Sequence, residues 1–130
     1  MTDRQAETEQ FWARLGEFEL ATSELAQEEL AQTPDPATRA KLQKLLKNFM
    51  IHPLTKEMKD LAQRYIDRGA FSAVTFSDAL HVAAAVLTRQ DVLLSWNFKH
   101  LVNRRRRAKV NEINISMGLP TIDIVAPPEI

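Results

Sequence analysis

Residues 77–103 read SDALHVAAAVLTRQDVLLSWNFKHLVN, and this stretch decides the fold. Asp78 stands in the first turn of a helix, where the helix dipole favours a carboxylate. Thr75, three residues earlier, fits a capping box with it. Leu80, Ala83, Ala84 and Leu87 recur at helical spacing. Ala83, Ala84 and Ala85 are small enough to let that helix lie close against a sheet. Val92, Leu93 and Leu94 form an apolar run too short for a helix. Bounded by polar residues, it suits a parallel strand buried on both faces. A helix followed by a buried strand predicts a βαβ arrangement and an α/β fold. In open α/β sheets the carboxyl ends of the strands border the crevice where ligands sit. Asp78 and Asn97, far apart in sequence, are therefore expected to converge there.

Outward from this stretch the elements alternate. Residues 8–15 read as a short helix with Phe11, Trp12 and Leu15 on one face. Residues 18–22 read as a strand. A helix over 23–32 follows and stops at the turn Thr33, Pro34, Asp35, Pro36. Asp35 and Pro36 make an N-cap and first helical residue for a helix running to about Asn48. Residues 50–54 are extended, and Pro53 suits an edge strand. Thr55 caps an amphipathic helix ending near Gly69, with Met58, Leu61, Ala62 and Tyr65 inward. Residues 104–117 form a helix ended by Gly118 and Pro120. Residues 121–125 form a last strand. No internal repeat and no long linker divides the chain, so residues 1–130 are expected to be one domain.

Composition bounds the function. With 130 residues, 45% of them apolar, the chain suits one domain with one core. Cysteine is absent, which excludes a disulfide framework and thiolate metal sites. No apolar stretch approaches the ~20 residues of a membrane span. The start, MTDRQAETEQ, is polar and acidic and unlike a signal peptide, so a cytoplasmic protein is expected. The glycines, Gly16, Gly69 and Gly118, are too scattered for a phosphate-binding loop.

The net charge of zero hides an uneven distribution. Residues 1–35 hold nine acids and two bases, and residues 36–90 hold nine bases and four acids. The densest basic cluster is Arg104, Arg105, Arg106, Arg107 and Lys109, with Lys99 just upstream. Such a cluster is either a solvated helix start or a set of phosphate contacts to a nucleic acid.

The motifs D-A-L-H-V-A-A-A and V-L-L-S-W-N-F-K-H-L-V-N together strongly resemble the C-terminal half of PIN domains. PIN domains are metal-dependent nucleases that include the VapC-type toxins of bacterial toxin–antitoxin pairs. The earlier T-S-E-L-A-Q-E-E-L resembles the family's second motif, with Ser23 opening a helix and Glu29 as its acid. The tail G-L-P-T-I-D-I-V-A-P-P-E-I looks like the last strand and ending of one PIN subgroup. The resemblance covers roughly residues 8–130. It implies a three-layer α/β/α fold around a small parallel sheet, and a Mg2+- or Mn2+-dependent endoribonuclease. It also implies RNA as substrate, an antitoxin protein as partner, and Glu29, Asp78 and the Asn97 position as site residues, with Glu29 and Asp78 on the metal. Carboxylates suit such ions because they prefer hard oxygen ligands.

Two positions depart from the family pattern. Asn97 stands where the family has an aspartate, and it supplies a carbonyl oxygen without a charge. The family's opening strand, central in its sheet and ending in an aspartate, has no counterpart. Asp3 is preceded only by Met1 and Thr2. A weakly bound ion, impaired activity and association of chains are therefore expected. The alternative expectation is a non-catalytic PIN-like binding or dimerisation module, or a chain shortened by a wrong start codon.

Taken singly, each residue also has a plainer role. Glu29 follows Glu24 and Glu28 and suits a solvated helix face, and Asp78 suits a simple cap. His81, three positions after Asp78, suits a hydrogen bond or a shared metal. Trp96 suits the core and His100 a structural contact. Ser23 and Ser95 suit caps as well as water or phosphate positioning.

Overall fold

The computed structural model describes residues 13–14, 17, 19–94 and 103–125. Within them the chain is a mixed helix and strand fold. Its elements are β1 (Ala21–Ser23), α1 (Glu24–Ala31), α2 (Pro36–Leu46), β2 (Met50–His52) and α3 (Lys56–Asp67). A 3-10 turn (Ala73–Thr75) leads into α4 (Phe76–Leu87), and then come β3 (Val92–Leu94), α5 (Arg104–Ser116) and β4 (Asp123–Val125). The proposed helix over 8–15 lies almost wholly outside the described residues, as do Ser95, Trp96, Asn97, Lys99 and His100.

Helix starts follow local capping chemistry. Ser23 Oγ accepts from Ala26 N at 3.4 Å, Asp35 Oδ2 from Thr38 N at 3.0 Å, and Thr55 Oγ1 from Met58 N at 3.2 Å. Each satisfies one of the orphan donors of a helix start. Asn103 does the same for α5, its Oδ1 accepting from Arg106 N at 3.1 Å. Thr75 does not cap α4. Its hydroxyl donates to Ser72 O at 2.9 Å and accepts from Ser72 N at 3.0 Å. The 3-10 turn ahead of α4 leaves Thr75 at φ −107°, ψ 26°, away from the extended conformation a cap needs, so the expected pairing with Asp78 does not form.

Among the described residues the strands pair in parallel, but as two separate two-stranded sheets rather than the one sheet expected. In the first, Ala21, Thr22 and Ser23 stand opposite Met50, Ile51 and His52. In the second, Val92, Leu93 and Leu94 stand opposite Asp123, Ile124 and Val125. Each pair is a strand–helix–strand crossover, through α1 and α2 in the first and through α5 in the second. With three residues to a strand, each ladder closes only on its own crossover partner. The helix α4 packs against both β1 and β3 and so bridges the two halves. Val92 is exposed and Leu93 and Leu94 half-buried, so β3 is not covered on both faces as expected.

The core is mainly helical. Met58, Leu61, Ala62 and Tyr65 of α3 are buried against Ala79, Leu80, Val82, Ala83, Ala84, Ala85 and Val86 of α4. Helix α4 is apolar nearly all round because it is covered by α3 on one side and strands on another. Its alanines let the backbones approach closely. Val110 and Ile113 of α5, with Ile122 and Ile124, complete the core. The polar residues of α4, namely Ser77, Asp78 and His81, are confined to its first two turns.

Candidate functional site

Those first two turns of α4 meet the side of α1. Ser77 and His81 are four residues apart on a helix, so both side chains face one way. Both reach Glu29. Ser77 Oγ donates to Glu29 Oε1 at 3.0 Å, and His81 Nε2 lies 2.8 Å from Oε1 and 3.2 Å from Oε2. Ser23, buried at the end of β1, starts the helix that carries Glu29 to this position. The His81 side chain is 20% exposed and that of Glu29 is 47% exposed, so a solute can reach the carboxylate while the ring is held.

Asp78 lies on the same stretch of α4, half-buried, its carboxylate making no hydrogen bond or ion pair among the described residues. The structure thus brings Glu29 to the helical turn that bears Asp78, and the contacts run through Ser77 and His81. The role of Ser77 was not foreseen, although its spacing from His81 marks the shared face. Asn97, expected at the same edge, lies outside the described residues. No group of three or more His, Asp or Glu side chains gathers as a metal site among the described residues. In kind, the two carboxylates and one imidazole are donors that suit a divalent ion.

The basic cluster divides by role. Arg104 and Arg105 are exposed at the start of α5. Arg106 donates from Nε to Ala70 O at 2.8 Å, and its guanidinium lies 4.7 Å from the Phe71 ring centre. Arg107 donates from Nη1 to Ile124 O at 2.9 Å, tying α5 to β4. Arg105, Arg106, Lys109 and Asn103 line one cleft with Gly69 and Ala70. A second, mostly apolar cavity of about 410 Å3 borders His52, Pro53, Met58 and Leu87 and contains none of Glu29, Asp78 or His81. Among the described residues no helix is long and apolar enough to cross a membrane. No family model matches the chain, and neither a curated protein nor a solved structure matches it.

Proposed function

We propose that this chain is a PIN-type, metal-dependent endoribonuclease of the toxin–antitoxin kind with weak activity. Glu29 and Asp78 would hold a Mg2+ or Mn2+ ion. The observation that carries the reading is the meeting of Glu29 with the Asp78 turn of α4 through Ser77 and His81. A bound ion would supply Lewis acidity at a phosphodiester and lower the pKa of a water. Ser77 and His81 orient the Glu29 carboxylate, which removes rotamer freedom before binding. The exposed Arg104 and Arg105, with Lys109, supply positive charge for an RNA backbone. An antitoxin protein would be the regulatory partner. Weak activity follows from having only two recognised carboxylates, because each missing anion removes an oxygen ligand and a Coulomb attraction.

A second reading is a non-catalytic binding or dimerisation module. It is favoured by the lack of a third donor at the site among the described residues. Single-turnover cleavage of labelled RNA, with Mn2+ and with chelator, separates the two. Slow Mn2+-dependent cleavage that disappears in Asp78→Ala and in Glu29→Gln supports the nuclease. Cleavage equal to the chelated control at every Mn2+ concentration sinks it in favour of the binding module.

A further inference from the structure

We propose that the cleft between the end of α3 and the start of α5 is a seat for one phosphate group of an RNA strand, held by Arg105, Lys109 and the side-chain amide of Asn103. The inference rests on the RNA-binding part of the reading above and deepens it. It requires neither a metal nor cleavage.

The start of α5 breaks the local rules of helix electrostatics. A helix N-terminus carries partial positive charge and favours acids. Here the first turn holds Arg104, Arg105, Arg106 and Arg107 and no acid. Lys109 follows Arg105 by four positions and Arg106 by three, and like charges at those spacings destabilise a helix further. The fold relieves part of this conflict. Arg106 is tied to Ala70 O and stacked on Phe71, and Arg107 is tied to Ile124 O. Arg105 and Lys109 make no hydrogen bond or ion pair among the described residues, and Glu112, three positions beyond Lys109, does not pair with it. Unrelieved local conflict of this kind is what a fold carries where it is built for a ligand.

The cleft gathers these charges in one place. It measures about 260 Å3, and no carboxylate stands among the residues that line it. Pockets for drug-sized ligands start at about 300 Å3, so this one suits a single phosphate group rather than a whole nucleotide. Asn103 Oδ1 accepts from Arg106 N, which fixes the side-chain amide and leaves Nδ2 as a donor. The Arg106 guanidinium is held by Ala70 and Phe71 before any ligand arrives, so it adds its charge without a new ordering cost. On the α3 side the wall is Gly69 and Ala70, which bring neither bulk nor charge. A phosphate accepts from Arg105, Lys109 and Asn103 together, and it neutralises the crowded helix start.

The test titrates the chain as it stands with sodium phosphate, against sodium chloride at equal ionic strength, while backbone amide resonances are followed by NMR. Signals are read residue by residue because phosphate also stabilises folded chains in general. The expected result is that phosphate, and not chloride, shifts Ala70, Asn103, Arg105 and Lys109 together. Lys109→Gln should weaken phosphate about tenfold. Asn103→Asp keeps the cap acceptor but puts negative charge in place of the Nδ2 donor, so it should weaken phosphate at least about tenfold while α5 stays folded. Lys44→Gln, on the exposed side of α2, should leave the affinity within about twofold. Shifts no larger than those from chloride, or equal phosphate affinity in wild type, Lys109→Gln and Asn103→Asp, overturn the proposal. The wild-type titration stands even if a variant misfolds. A short RNA, with and without a 5′-phosphate, is then added to the phosphate-loaded chain. Displacement by both strands assigns the seat to the RNA backbone, and displacement by the 5′-phosphorylated strand alone assigns it to the terminal phosphate. Displacement by neither overturns the RNA assignment. A seat that fills in a chain that never cleaves RNA would sink the nuclease reading alone. Mn2+-dependent cleavage with the cleft untouched by phosphate would sink this inference alone.

Discussion

The hydroxyl of Tyr65 on α3 donates to Oδ1 of Asn114 on α5, and both residues are fully buried. The bond is the start of a polar chain that runs from the core toward the half-buried Asn111. Asn114 Nδ2 donates to Asn111 Oδ1 at 3.3 Å, and Leu119 N donates to Asn114 O at 2.8 Å. A buried acceptor stripped of its donor bears its whole desolvation penalty. Tyr65→Phe should therefore cost about 1–2 kcal/mol, measured by urea denaturation.

The same bond carries a pH dependence. Burial pushes the Tyr65 hydroxyl well above its ordinary value of 10.0, and the bond to Asn114 offsets this only in part. The folded state therefore keeps the proton over a range where the unfolded state has lost it. Stability from this group is fully present below pH 10 and falls as pH rises above it. Tyr65 is the single tyrosine, so its ionisation can be followed directly by ultraviolet absorbance. Tyr65→Phe should flatten the alkaline limb of the stability curve. An unchanged limb would show that other groups set it.

Asn111 holds the approach to β4 by mimicking a strand. Its Oδ1 accepts from Ile122 N at 2.9 Å and its Nδ2 donates to Ile122 O at 2.9 Å. Ile122 is buried, so water cannot readily replace either bond. Asn111→Ala should cost about 1–3 kcal/mol and speed amide exchange at Ile122 and Ile124. Protection unchanged at Ile122 would refute the role.

Three helices end alike, with one residue in the left-handed region. Gly69 at φ 85° follows α3, Gly118 at φ 71° follows α5, and Arg89 at φ 62° follows α4. After each, a backbone N–H turns back into the last helical turn: Ala70 N to Tyr65 O, Leu119 N to Asn114 O, and Gln90 N to Ala85 O. Only at Arg89 does a side chain bear the strain. Arg89→Gly should raise stability by up to about 1 kcal/mol in thermal melts.

The basic cluster should split in the same experiment. Arg104→Ala and Arg105→Ala should change stability by less than about 0.5 kcal/mol and, on the proposed nuclease reading, lower RNA affinity and its salt dependence. Arg106→Leu removes the bond to Ala70 O and the stack on Phe71, and should cost about 1–2 kcal/mol in denaturant. Equal effects of all three on stability would contradict the division.

Much of this was legible along the chain. The caps Ser23, Asp35 and Thr55, the inward face Met58, Leu61, Ala62 and Tyr65, the stop at Gly118 and the parallel pairing all stand as the residues predict. The strands were placed within about three residues, with β1 starting at Ala21 and reaching Ser23. Thr75 misled because its nearest partner, Ser72, lies on the other side of the turn.

What the sequence by itself determined is whatever closes within a few residues. A cap, a helical stripe or a left-handed stop depends on groups three to five positions apart, and the backbone holds them near one another in any context. Only the tertiary structure decided the rest. Glu29 and His81 are 52 positions apart, Glu29 and Ser77 48, and Tyr65 and Asn114 49. Only the folded chain sets α1 within side-chain reach of α4, and α3 within reach of α5. The division into two sheets and the turning of Arg106 toward Ala70 arise likewise, because each depends on which surfaces meet once the apolar faces are buried.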